Sequence, residues 1–203
     1  MNYPKFEVSG VPQEDVWQLF NCSNYEYYKL KVKRLREGVC GFCRIDRRIN
    51  TVIFQTRYWI VMENTIAPQG GQEHQFVIPS RRHVSSINEL TSAEFADLFL
   101  AIKEVERRFH ITGGVIVIRS GDPAKNARSM PHLHVNYHVP TGKKKVGITI
   151  AKSERNLKRK LKILQVFEKM RLIEEMGWKN PADRLTRNEK KLVKDKLGKR
   201  GSC

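Results

Sequence analysis

Between Met130 and Pro140, His132, His134, Asn136 and His138 alternate with Leu133, Val135, Tyr137 and Val139. A period of two predicts a β-strand, because successive side chains point to opposite faces of a sheet. The polar face then carries His132, His134, Asn136 and His138, and the apolar face is buried. Thr51–Thr56 and Tyr58–Met62 are β-branched and aromatic runs of strand length, His74–Pro79 is a strand stopped by proline, and Val115–Ile118 follows the turn at Gly113 and Gly114. Val146–Ile150 predicts a further short strand. Helical spacing takes over elsewhere. Thr91 and Glu94 form a capping box that opens a helix with Phe95, Leu98, Phe99, Ile102 and Val105 on one face, running to about Phe109. His110, just beyond it, is given no chemical role. Leu157, Leu161, Leu164, Phe167, Met170 and Ile173 predict a long helix from Ser153 to Gly177, and Thr186 with Glu189 caps a short terminal one. Residues 12–20 and 25–35 read as helical, with a break and a possible cap at 21–24 and an end at Gly38.

These elements divide the chain into a helical N-terminal extension (1–39), a strand-rich domain (40–150) and a basic helical C-terminal extension (151–203). The 203 residues are 40% hydrophobic and 29% charged, an ordinary globular composition. No stretch approaches the roughly 20 apolar residues that span a bilayer, and no apolar signal segment is visible at the start, so a cytoplasmic protein is expected. The net charge is +17 and uneven: 20 lysines and arginines against 7 acids follow Pro140. That surplus suits a polyanion such as nucleic acid, and equally a solvated helix face.

Candidate chemistry gathers at two places. Three histidines on one strand face, framed by prolines, read as a metal or catalytic cluster. Cys40 and Cys43 form a C-x-x-C pair on a turn, which reads as metal or redox; with only Cys22 and Cys203 besides, a disulfide framework is not expected. The polar loop from Arg119 to Ser129 feeds directly into the histidine strand. It offers Lys125, Arg128 and Ser129, with Arg119 a weaker candidate, as donors for a phosphate.

The order of two strands, a loop from Asn64 to Pro68, the strand His74–Pro79, His83, a capped helix, a strand and then Ser129-Met130-Pro131-His132-Leu133-His134 resembles the histidine-triad (HIT) superfamily over residues 40–140. The resemblance implies an α+β fold with a mostly antiparallel sheet and packed helices, binding of a nucleotide, here an adenine nucleotide, hydrolysis or transfer of its nucleotidyl group, and in many members a homodimer. It puts the nucleophile at His134, a phosphate contact at Ser129 and a ribose contact at Asn64; the residues themselves add Arg128 and Lys125 from the loop, and His138 should the strand bulge, as nucleotide-binding candidates. It also implies structural zinc on Cys40, Cys43, His83 and His132, with His74 or His138 as possible substitutes. Asn136 departs from the hydrolase pattern, which has a third histidine there; the transferase branch has a glutamine. An amide can donate to a phosphate oxygen but cannot shuttle a proton, so Asn136 moves weight towards nucleotidyl transfer, with dinucleoside polyphosphates as candidate substrates. The basic C-terminal helices keep open an alternative, a nucleic-acid-binding member that removes an adenylate from an end or only binds.

Overall fold

The computed structural model describes residues 3–47, 50–64 and 70–197. The helices are α1 (Tyr25–Arg36), α2 (Ser92–Phe109), α3 (Pro123–Asn126), α4 (Glu154–Glu175) and α5 (Arg187–Val193), and the strands are β1 (Thr51–Gln55), β2 (Ile60–Glu63), β3 (Gln72–Pro79), β4 (Val115–Ile118) and β5 (His134–Pro140). The five strands make one antiparallel sheet in the order β1-β2-β3-β5-β4. The chain falls into two units: residues 39–150 hold the sheet, α2 and α3, while residues 1–38 and 151–203 together form the other.

In the sheet unit β5 is an interior strand, paired to β3 on one side and to the edge strand β4 on the other. Its odd-numbered residues Val135, Tyr137 and Val139 join Val61, Phe76 and Ile78 in a core that packs on Leu98, Ala101, Ile102 and Val105 of α2. The capping box at Thr91 and Glu94 forms as the sequence predicts, and α2 ends on His110 in the left-handed conformation. Three bonds tie α2 to the β1–β2 connection: Trp59 Nε1 donates to the Glu94 carbonyl at 2.7 Å, and Asp97 accepts from Thr56 and the Tyr58 amide at 2.6 and 2.8 Å. Gly114 lets β4 pass close to Tyr137. A Cβ there would lie 2.3 Å from the Tyr137 ring, which is fully buried and donates its hydroxyl to Glu106 at 2.7 Å. Gly114→Ala should therefore destabilise the sheet unit by about 1–3 kcal/mol, as overpacking of a filled core does, measured as a lower denaturant midpoint at unchanged slope.

The two terminal segments, read from the sequence as separate extensions, share one core. Phe6, Phe20, Tyr25, Tyr28, Val32 and Leu35 pack with Leu157, Leu164, Phe167, Met170, Leu185 and Val193. Tyr28 donates to Glu168 at 2.7 Å, and Arg171 grips the same carboxylate with two bonds of 2.7 and 2.5 Å. Residues 13–21 are a 3-10 segment, and the break predicted after them provides Asn24, whose side chain accepts from the Tyr27 amide and caps α1. Val146–Ile150, expected as a strand, has no regular structure. Among the described residues no helix is long and apolar enough to cross a membrane.

Candidate functional site

The register of the sheet decides which side chains share the face opposite α2. His134, Asn136 and His138 stand across from Pro79, Val77 and Gln75 of β3, and Asn136 and His138 stand across from Val117 and Val115 of β4. The Asn64 amide donates to the Gln75 carbonyl at 2.8 Å, extending the β2–β3 pairing by one residue. Asn64 thus falls in the same cross-strand row as Gln75 and His138. The loop beyond it, residues 65–69 with Pro68, lies outside the described residues.

Four side chains from three distant stretches meet beside this face. The ligand atoms of Cys40, Cys43, His83 and His132 all lie within 4.8 Å of one another. Cys43 Sγ is 3.0 Å from His83 Nδ1 and 3.5 Å from His132 Nδ1, and Cys40 Sγ is 3.4 Å from His132 Nδ1. Tetrahedral zinc with bonds of about 2.0–2.3 Å has donor–donor edges of about 3.3–3.8 Å, so the cluster is close to the required size. His132 Nε2 lies 2.7 Å from the Ser80 carbonyl oxygen. A carbonyl only accepts, so Nε2 carries the proton and Nδ1 turns its lone pair to the sulfurs, as a metal-bound histidine with an outer hydrogen bond does. Burial pushes both thiols up. At Cys40 the amides of Cys43 and Phe42 lower the thiol against burial, while at Cys43 the neighbouring Cys40 adds to burial and pushes the thiol up to about 11, so Cys40 ionises first. One thiolate of the pair is therefore formed readily. His74, a possible substitute in sequence terms, instead stacks on Phe76 and meets Phe109 edge-on.

His134 opens β5 and is 7% exposed. Its Nδ1 lies 2.9 Å from the carbonyl oxygen of His132. The same reasoning puts the proton on Nδ1 and leaves the lone pair on Nε2. Burial holds this imidazole at about 4, with the charges of Arg119, His132 and Arg128 acting in the same direction against the bond to the His132 carbonyl. It is neutral at pH 7 and able to act as a nucleophile. The Phe42 ring lies 5.0 Å from the His134 ring, between the two cysteines in sequence.

The other sequence candidates divide. Arg128 is buried, with Nη1 donating to the Ser85 carbonyl at 2.6 Å, and follows Ala127 in the left-handed conformation. Ser129 is half-buried in the bend before the histidines, and Lys125 stands exposed on α3. Asn136 is buried on the histidine face. His138 is buried too, and its Nδ1 is 2.8 Å from Gln72 Oε1, so one ring nitrogen is engaged by β3. Sequence reasoning misses Ser80, which holds His132 through its carbonyl and whose hydroxyl is 3.2 Å from the same nitrogen. Its position directly after the strand-ending Pro79 is the available signal. Arg119, ranked last among the donors, acts on both His134 and His138.

No protein-family model matches the chain. The nitrilase and fragile histidine triad fusion protein NitFhit of Caenorhabditis elegans is 27% identical over 143 residues, 67% of this chain and 31% of NitFhit. The chain thus spans about a third of the length of that curated relative. Among solved structures, a HIT family hydrolase from Legionella pneumophila Philadelphia 1 aligns with a TM-score of 0.43 and 19% identity over 53% of this chain and 96% of its own. A histidine triad protein from Clostridium difficile aligns with a TM-score of 0.43 and 16% identity over 54% of this chain and 95% of its own.

Proposed function

We propose that the chain is a histidine-triad protein whose sheet unit binds a nucleotide and hydrolyses it or transfers its nucleotidyl group. The observation that carries this reading is the tautomer of His134: a buried, neutral imidazole with its Nδ1 proton tied to the His132 carbonyl and its Nε2 lone pair available. The similarity to NitFhit supports it.

In this mechanism Nε2 attacks the α-phosphorus in line. A P–N bond forms, the bond to the leaving oxygen breaks, and the leaving group departs with the electron pair. Water, phosphate or a phosphorylated acceptor then attacks the phosphorus from the other side, the P–N bond breaks, and the imidazole recovers its lone pair. Ser129, Arg128 and Asn136 donate to the phosphoryl oxygens, Asn64 contacts the ribose, and Lys125 and His138 are peripheral. Because Asn136 is no acid, transfer is favoured over reactions that need protonation of the leaving group. The four-residue cluster fits zinc, held by Cys40, Cys43, His83 and His132; it would tie the turn at 40–43 to β5 as a closed structural site. Incubation with a panel of nucleotides followed by neutral quench and peptide mass spectrometry should reveal a nucleotidyl adduct on the peptide carrying His134. An adduct elsewhere would move the nucleophile.

A second reading concerns the helical unit. Arg155, Lys158, Arg159 and Lys162 are exposed at helical spacing along α4, and Arg187, Lys190, Lys191 and Lys194 are exposed on and just after α5. Lys196 acts on Lys160, so the two basic stretches adjoin. This surface suits the phosphate backbone of a nucleic acid. Neutralising the four α4 residues should reduce the salt dependence of binding to short DNA or RNA by about one slope unit for each phosphate no longer neutralised; an unchanged slope would reject this reading.

A further inference from the structure

Arg119 is the residue whose placement the proposed chemistry leaves unexplained. Strand β4 pairs with β5 through Val115 with His138, Ile116 with Tyr137, Val117 with Asn136 and Ile118 with Val135. The ladder ends at Ile118, and Arg119 follows directly; the same register continued by one step would put it across from His134, on which its charge acts. Directly opposed residues have Cβ atoms about 4.5–5.5 Å apart. The guanidinium is half-buried, one Nη donates to the Thr149 carbonyl at 3.0 Å, and its buried Nε has no hydrogen-bond partner among the described residues. A buried donor left unmade on a permanent cation costs stability. Its presence beside the nucleophile indicates that an anion completes the site.

We propose that Arg119 neutralises the leaving group, taking the place of a proton donor and confining the enzyme to substrates whose leaving group departs already ionised: a phosphate or polyphosphate rather than an amine or an alcohol. This rests on His134 being the nucleophile. A protein arginine stays protonated throughout the neutral range, so Arg119 stabilises negative charge and supplies no proton. Asn136 supplies none either, and His138 has one ring nitrogen engaged by Gln72. An amine or alcohol leaving without a proton would depart as an amide ion or alkoxide, an anion too basic to be expelled with the help of one guanidinium alone. A terminal phosphate carries its charge comfortably and pairs with a guanidinium through two parallel bonds. When the P–O bond breaks, the electron pair goes to the phosphate oxygen facing Arg119, and no proton moves in that step.

The test uses three substrates that share one nucleotidyl group: a dinucleoside triphosphate, a nucleoside 5′-phosphate ester of p-nitrophenol, and a nucleoside 5′-phosphoramidate of an alkyl amine. The wild-type protein should turn over the triphosphate at least about 10³-fold faster than the phosphoramidate. Arg119→Gln should lower kcat on the triphosphate by about 10²–10³-fold, the usual cost of removing one aimed donor. It should leave the p-nitrophenyl ester, whose leaving group needs little help, within about threefold. Arg119→Lys, which keeps the charge and loses the fork, should recover part of the triphosphate rate. An equal loss on all three substrates from a folded variant would overturn the proposal by assigning Arg119 to the transferred phosphoryl group or to the scaffold, and so would no loss at all. Wild-type protein that prefers the phosphoramidate would overturn it outright. If the wild type forms no adduct on His134 with any of the three, the nucleophile assignment itself fails; an adduct with an unselective Arg119→Gln profile sinks only the leaving-group role.

Discussion

Replacing His134 by asparagine should lower turnover by about 10⁴-fold or more, the scale seen when the nucleophile of a covalent mechanism is removed, and should abolish the nucleotidyl adduct. The fold should survive. His134 sits at the start of β5, and its side chain makes one hydrogen bond, to the His132 carbonyl at 2.9 Å. An asparagine amide can still donate to a nearby carbonyl, so the stability should fall by no more than about 1–2 kcal/mol. Nucleotide affinity should change little, because binding rests on groups other than the attacking nitrogen. Loss of turnover with retained affinity separates a reacting group from a binding one. A variant that kept a tenth of the wild-type rate would place the nucleophile outside this strand.

Removing the proposed zinc should have the largest effect on stability. Protein purified without chelator should carry one zinc per chain by elemental analysis, and Cys40→Ser with Cys43→Ser should carry none. At a thousandfold excess of free metal over Kd, the bound ion stabilises the folded state by about 4 kcal/mol, about 10–20 °C in the melting temperature of a unit this size. Activity should fall with it. The carbonyl that sets the tautomer of His134 belongs to His132, one of the four proposed ligands. Freed from the metal, that peptide loses its fixed position, and the attacking lone pair loses its aim. Metal-free protein with undiminished thermal stability would reject a structural role for the site.

Much of this architecture is legible in the residues. The alternation from His132 onward predicts the face of β5, and the capping boxes at Thr91 and Thr186 mark α2 and α5 within a residue. Both signals are local: a period of two and a side chain reaching its own backbone three residues on. What is not legible depends on partners far away in sequence. Val146–Ile150 has the composition of a strand but no ladder to join; the Thr149 carbonyl accepts from Arg119. The capping box of Ser86 and Glu89 opens a 3-10 turn of only three residues, too short for any apolar period to announce it. Arg119 looks like an ordinary loop residue until the β4–β5 ladder, which ends one residue before it at Ile118, brings it to the start of β5.

The helical unit is assembled from both halves of the chain: α1 finds its apolar partners on α4, roughly 120 residues later, which at ribosomal rates means on the order of 10 s of waiting. During synthesis Tyr28, Val32 and Leu35 emerge with only the preceding segment, Val16 to Phe20, to pack on, while the contiguous residues 39–150 can close before α4 is made. The sheet unit, contiguous in sequence, is therefore expected to close before α1 gains the cover that α4 provides.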